Sequence, residues 1–276
     1  MDLDFAGIKR KADYSPNHIG NDFLIIKRTT EELERFGCRV ALYDESDLAP
    51  ESVKEKLIFS MVQGPDGVRV LKNIAGRASL VINSPQSVEN CYRVNMVRLL
   101  TECGIPFPKS IIIDTGVDVD DVLIEFASQK VWIKRGDVHA VHKEDVTLAY
   151  TDEEKASVLE EFHRRGIHDA VVQEHLTGDV VKFYAVRDSG FFYWYYLNGV
   201  HHTPFKQKQL FELAQASAQA MGLYVFGGDA IIAADGWITI IDINDWPSFA
   251  PVRDEAAKII AQLLVRKAKD DGHARA

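Results

Sequence analysis

Cysteine is scarce in this chain. Three in 276 residues, Cys38, Cys91 and Cys103, show neither the pattern of a disulfide framework nor the paired spacing of a zinc motif. That fits a reducing compartment, and we expect a cytoplasmic protein. Long apolar runs are also missing. None approaches the roughly 20 residues of a membrane span, and Met1-Asp2-Leu3-Asp4 opens with no basic-then-apolar leader, so no membrane partner is expected. Positive charge is in deficit: 32 Lys and Arg face 41 Asp and Glu, a formal net charge of −9. This argues against nucleic acid as a partner but leaves room for a locally basic pocket that takes a small anionic substrate. Glycine-rich phosphate loops of the P-loop or dinucleotide type are absent, Gly227-Gly228 being the one doublet. There is no G-x-S-x-G, and no cysteine stands in a nucleophile context. The remaining composition, 46% hydrophobic and 26% charged, is that of a globular chain long enough for two or three subdomains.

The first third alternates strand and helix. Residues 5–8 read as a short strand followed by the basic turn Lys9-Arg10-Lys11. Asn21 is a candidate cap for a helix ending at Gly37. Residues 38–42 and 80–83 read as strands, and Ser84-Pro85 opens a single helix that runs to Gly104. This predicts a small α/β unit with a largely parallel sheet. Gly104-Ile105-Pro106-Phe107-Pro108 is a rigid connector and the first boundary. Beyond it we expect strands at 110–113 and 131–134, a helix at 119–127, a hairpin arm at 146–150, a helix at 153–165 and a strand at 170–173. The last third has antiparallel character, with strands at 180–186 and 191–197, a helix at 207–221, an acidic hairpin, and a final helix at 254–267. The expected units are 1–104 (an N-terminal α/β, substrate-side domain), 105–173 (central) and 174–276 (C-terminal).

The acidic hairpin carries the clearest chemical signal. Asp229 opens one apolar run, and Asp242 and Asn244 close the next, with Asp235-Gly236 between the runs as a tight-turn signature. Folding the hairpin returns Asp229 to the side of Asp242 and Asn244, which share a face as i, i+2 strand residues. Three hard oxygen donors on one face suit Mg²⁺, whose remaining ligands come from water and nucleotide phosphates. Asp and Asn also serve as ordinary strand-end turn formers. Within apolar runs, however, an unpaired carboxylate costs several kcal/mol, which favours the metal reading.

Other residues fit the same chemistry. Lys134 ends the apolar strand Val131-Trp132-Ile133-Lys134 and could reach nucleotide phosphates, or simply snorkel to solvent. Gln173-Glu174-His175-Leu176 is a strand running into a polar turn, as at an adenine hinge. His139 and His142 flank a turn after Lys134 with no third nitrogen or sulfur ligand at zinc spacing; they are either surface residues or contacts to an anionic substrate. His201-His202 with Lys206 form a weaker cluster. Lys182 and Tyr184 share one face of their strand.

In this order the segments resemble the ATP-grasp superfamily over about residues 80–268. The pattern that leads from an Asn-Ser helix to G-I-P-x-P is matched by Asn83-Ser84 through Cys91-Tyr92-Arg93 and Gly104 to Pro108. The resemblance implies an α/β and α+β architecture, an ATP-grasp fold preceded by an α/β (pre-ATP-grasp-like) domain. It implies ATP and Mg²⁺ as cofactors. Arg93, Lys134 and Lys182 would contact phosphates, with Arg93 and Lys182 catalytic. Gln173, Glu174, His175 and Leu176 would hold the adenine side, and Asp229, Asp242 and Asn244 the metal.

Two branches of the superfamily compete. Val180-Val181-Lys182-Phe183-Tyr184-Ala185-Val186 and Asp242-Ile243-Asn244-Asp245-Trp246-Pro247 are similar to the inositol polyphosphate kinases of the trisphosphate 5/6 type. So is the placing of His139 five residues after Lys134. The second branch is the carboxylate–amine ligases resembling ribosomal-protein glutamate ligase, which usually carry E-x-N at Asp242 and Arg at Lys182. Both usually have Gly where Ser248 stands. The leading expectation is a kinase acting on an inositol phosphate. The alternatives are a ligase acting on a carboxylate through an acyl phosphate and a non-catalytic nucleotide-binding protein. Lys9, Arg10, His139, His142 and Ser248 are the candidate acceptor contacts.

Overall fold

The structure, a computed structural model, describes residues 3–14, 19–116, 125–126, 129–139, 141–197 and 202–274. Three four-stranded sheets organise these residues. The first is wholly parallel, in the order β2-β1-β3-β4, from β1 (Asp4–Lys9), β2 (Arg39–Asp44), β3 (Leu57–Ser60) and β4 (Leu80–Ile82). The second and third are antiparallel. One runs β5-β8-β6-β7, from β5 (Ser110–Asp114), β6 (Val131–Arg135), β7 (Val146–Ala149) and β8 (Asp169–Glu174). The other runs β10-β9-β11-β12, from β9 (Asp179–Val186), β10 (Phe191–Tyr196), β11 (Val225–Ile232) and β12 (Ile238–Asp245).

Parallel strands need crossovers, and helices supply them. Helices α1 (Ile19–Arg35), α2 (Pro65–Ala75) and α3 (Pro85–Asn90) cover the first sheet. Its near-continuous apolar β1, with Phe5, Ala6 and Ile8 fully buried, is the pattern of a strand covered on both faces. Helix α5 (Asp152–Arg164) packs Leu159 and Phe162 on the central sheet. It starts at a capping box in which Thr151 accepts from the Glu154 N–H while Glu154 accepts from the Thr151 N–H. Helix α6 (Gln207–Met221) covers one face of the third sheet through Leu210, Ala214, Ala218 and Met221. The last helix, α7 (Arg253–Ala274), returns to the start of the chain: Ile260 and Leu264 share a core with Phe5, Ile25 and Leu33.

Several expectations shift. Asn21 lies inside α1 rather than capping it, and its Oδ1 accepts a hydrogen bond from Arg253 at 2.6 Å. The single helix expected after Ser84 is two, α3 and α4 (Arg93–Glu102), because Tyr92 takes an extended ψ of 136°. Ser84 does cap α3, accepting from the Ser87 N–H at 3.1 Å. The break puts Arg93 at the first turn of α4. β3 and α2 carry no expectation from sequence. Residue 173, the expected second boundary, lies inside β8, and α7 packs on the N-terminal sheet. The helix expected at 119–127 lies largely outside the described residues. No helix among them is long and apolar enough to cross a membrane.

Candidate active site

The central and third sheets face each other across a cleft of about 420 Å³. Its chemistry is graded. Trp132, Val146, Leu176, Val180, Leu197, Ile231 and Ile241 make an apolar region; Arg93, Lys134, Asp229 and Asp242 line it as well and supply charge. Gln173, Glu174 and His175 also line it, at the end of β8. The alternation of β-strands produces this arrangement. Trp132 and Lys134 point one way from β6 while Val131 and Ile133 enter the core under α5. On β9, Val181, Phe183 and Ala185 go to the core under α6, leaving Val180, Lys182 and Tyr184 on the opposite face.

A β-bulge aims the acids. On β12, Ile238 and Ile240 are core residues, so strict alternation would bury residue 242 with them. The register slips between Asp229 and Ala230: Ala230 pairs with Ile240 but Asp229 pairs with Asp242. The extra residue, Ile241, reverses the phase. Ile243 enters the core, and Asp242 and Asn244 turn to the cleft side. Across the sheet, Lys182, Asp229 and Asp242 then form one row. Gly228 is needed where β11 passes the acids, because a Cβ there would meet the Asp242 carbonyl oxygen at 2.4 Å. Gly236 takes φ of +83° in the expected turn, and Asp235 Oδ1 accepts from the Trp237 N–H.

The electrostatics separate the two lysines. Lys134 Nζ donates to Gln173 Oε1 at 2.7 Å and has no carboxylate partner among the described residues. Burial, with repulsion from Arg93, lowers its pKa to about 8 against the pull of Asp242 and Asp229. Lys182 Nζ bonds both Asp229 oxygens, at 2.9 and 3.1 Å. Burial works against its charge, but Asp229 prevails and its pKa is raised. Burial pushes Asp229 up despite Lys182, and Asp242 adds repulsion. Desolvation works against the charge of half-buried Asp242 too, yet Arg93, Lys134 and His139 hold it below the usual carboxylate range. Asn244 Nδ2 donates to Asp242 Oδ2 at 3.3 Å.

Two further features fit a polyanion bound between these cations. Arg93 Nε is buried with no hydrogen-bond partner among the described residues. It also stands at a helix N-terminus, where exposed N–H groups and the helix dipole favour an anion over a cation. For a hard divalent cation, two carboxylates and an amide on one face are a fitting donor set.

The structure thus brings together Arg93, Lys134, Gln173, Glu174, His175, Leu176, Asp229 and Asp242, with Lys182 and Asn244 attached through the acids. Of the expected acceptor contacts, His139 lies near enough to act on Asp242, while Lys9, Arg10, His142 and Ser248 do not line the cleft. Lys9 pairs with Asp44 at 2.7 Å and lines a separate cavity of about 270 Å³ that also includes Asp22 and Glu45. Arg10 pairs with Asp22 at 2.7 Å and donates to the carbonyls of Asp245 and Trp246, so its guanidinium braces the loop after β12. His142 is exposed, His139 is buried facing Asp245, and Ser248 is partly buried in the loop. His201 lies outside the described residues. The apolar wall of Trp132, Val146, Val180, Leu197, Ile231 and Ile241 carries no expectation from sequence. Its signal is the every-second-residue placement of apolar groups beside Lys134 and Lys182.

No protein-family model matches this sequence, and no curated protein is similar to it by sequence. Solved structures are similar in fold. D-alanine–D-alanine ligase from Bacillus anthracis, complexed with ATP, superposes with a TM-score of 0.77 at 12% identity, covering 99% of each chain. A RimK domain protein ATP-grasp from Sphaerobacter thermophilus gives 0.73 at 15% identity, over 95% of this chain and 100% of the other. The ATP-grasp ligase PsnB, complexed with a minimal precursor, gives 0.63 at 16% identity, over 97% and 100%. The chain has the ATP-grasp fold, with a parallel α/β unit in front.

Proposed function

We propose that this protein is an Mg²⁺- and ATP-dependent enzyme that activates an acceptor oxygen by phosphoryl transfer, and that the acceptor is a carboxylate. The observation that carries the ATP reading is the grading of one cleft between two antiparallel sheets: an apolar wall for a base, then two cations and an acidic pair for a metal triphosphate. Base and ribose would lie against Trp132, Leu176, Val180 and Ile231, with Gln173 and Glu174 at the hinge. Arg93 and Lys134, close enough to repel each other, would hold the phosphates. Mg²⁺ held by Asp229, Asp242 and Asn244 would neutralise charge on the transferred phosphoryl group. Lys182, beside Asp229, adds a cation on the same side. Catalysis by such an arrangement is positioning and charge neutralisation rather than covalent chemistry.

The acceptor reading rests on the company the fold keeps: two of the similar structures are ligases by name, and one is bound to a precursor. A ligase would pass through an acyl phosphate that an amine captures. The kinase reading remains the second, favoured by Asp242-Ile243-Asn244-Asp245-Trp246-Pro247 and the strand around Lys182. No observation favours inositol phosphates in particular: Lys9 and Arg10, expected to grip an anionic acceptor, are neutralised by Asp44 and Asp22.

The test is ATP turnover with panels of carboxylate and polyol phosphate acceptors, with and without hydroxylamine. Formation of a hydroxamate supports the ligase reading. Transfer of phosphate to a hydroxyl, with no hydroxamate from any carboxylate, would sink it in favour of the kinase.

A further inference from the structure

A second cluster of ligating side chains lies close to the acidic pair but is built from other residues. Cys91 caps the end of α3 at the break before α4, His139 belongs to the loop after β6, and Asp245 is the last residue of β12. All three are buried, with 1%, 9% and 1% of their surface exposed. One ligand atom from each lies within 4.8 Å of those of the other two.

Ordinary core packing explains this cluster poorly. His139 Nε2 and Asp245 Oδ2 are both buried with no hydrogen-bond partner among the described residues, and buried polar atoms are rarely left so. His139 Nε2 stands 3.4 Å from Asp245 Oδ1, beyond a normal hydrogen bond. Two ligands bound to one tetrahedral zinc at 2.0–2.1 Å would be about 3.3 Å apart. The surroundings resemble an outer shell. Gln63 Nε2 donates to Asp245 Oδ1 at 2.9 Å, the Tyr92 ring meets His139 edge-on at 6.0 Å, and the Cys91 thiol donates to the Ser87 carbonyl at 3.4 Å.

We propose that Cys91, His139 and Asp245 form a second metal site, taking a borderline-soft divalent ion of the Zn²⁺ type. A sulfur, an imidazole nitrogen and a carboxylate oxygen select such an ion over Mg²⁺, which prefers oxygen alone. Binding replaces the thiol proton, which leaves to solvent; no electron moves. The ion ties together three segments that each carry a cleft residue: Cys91 precedes Arg93, His139 follows Lys134, and Asp245 follows Asn244. Its role is to hold the cleft's charged end in register. The site stands independently of the ATP reading.

The experiment is Co²⁺ titration of the full-length, chelator-stripped protein, followed by X-ray absorption on the zinc form. One equivalent of Co²⁺ should bind with a thiolate-to-metal charge-transfer band. That band should survive replacement of Cys38 and Cys103 by serine and vanish in Cys91→Ser. In Asp245→Asn, Zn²⁺ affinity should fall by about 10-fold or more. The absorption data should show one sulfur at about 2.3 Å. An Asp242→Ala chain should keep the band while losing Mg²⁺-dependent ATP binding, which separates failure of this site from failure of the ATP reading. No band in the wild-type protein, a band that persists in Cys91→Ser, or a zinc shell of oxygen and nitrogen alone overturns the proposal. The wild-type spectra decide the matter even if a variant does not fold.

Discussion

Lys134 and Lys182 line up on the two facing sheets of one cleft, and sequence alone assigns them the same task. Their surroundings are opposite. Lys134 bonds a neutral amide, lies beside Arg93, and is held at a pKa of about 8. Lys182 bonds both oxygens of Asp229 and is held above the ordinary lysine value. The first is a desolvated cation with no carboxylate bonded to it among the described residues. The second is already neutralised and stabilises the acid beside it. Charge count alone would miss this: one lysine favours ligand binding at the expense of the fold, and the other favours the fold.

The largest expected effect comes from the acid both lysines feel. Asp242 pulls on each, so Asp242→Ala should remove Mg²⁺-dependent ATP binding and lower turnover by on the order of 10²-fold or more. Calorimetry with Mg²⁺-ATP checks this; unchanged binding would refute the metal assignment. Next, the two lysines should differ in sign when replaced by methionine. Lys182→Met leaves Asp229 buried beside Asp242 and should cost about 1–3 kcal/mol, reduced from the fully buried case because the pair is partly exposed. Lys134→Met removes a desolvated cation, so it should leave stability equal or higher while weakening ATP binding by roughly 10-fold or more. Urea unfolding read beside nucleotide titration tests both; a loss of stability in both variants would break the comparison.

The third prediction concerns pH. A lysine whose folded pKa is below its unfolded value lowers stability while both forms are protonated, below about pH 8. That penalty is relieved as pH rises toward the ordinary 10.5. Stability should therefore gain from Lys134 over this window as ATP affinity falls, since the phosphate contact needs the charged form. In Lys134→Arg the affinity slope should vanish, because the guanidinium stays charged. Affinity measured from pH 7 to 9.5 is the readout, and identical slopes would exclude Lys134 as the titrating contact. The smallest effect is Gln173→Leu, which removes the acceptor of the Lys134 ammonium and should cost about 1 kcal/mol of nucleotide affinity.

How much of this was legible in the sequence depends on range. Local patterns carried well: the Asp235-Gly236 turn, the helix at 207–221 and the parallel first sheet; that Arg93, Lys134, Asp229 and Asp242 line one cleft was implied only by the family resemblance. What failed was set by tertiary contact. The break before Arg93 depends on an extended Tyr92, whose hydroxyl donates to the Gln63 carbonyl. The bulge at Ile241 leaves no mark in a run of isoleucines, although it alone turns Asp242 toward the cleft. The paired state of Lys9 and Arg10 was invisible because Asp44 and Asp22 come from other elements. Cys91, His139 and Asp245 have no motif spacing, since three separate segments converge on them.

Arg10 carries one more consequence. Its guanidinium reaches from the end of the first strand to the carbonyls of Asp245 and Trp246, where Trp246 and Phe249 hold left-handed φ values of 37° and 49°. Such backbone is unfavourable for these side chains and persists only where its surroundings impose it. The brace and the carbonyls it holds lie 235 and 236 residues apart along the chain. During synthesis Arg10 must therefore wait for all of that intervening chain before it has these carbonyls to hold. Asp242 and Asn244 directly precede that loop, so the charged end of the cleft takes its final form only as these distant segments close on each other.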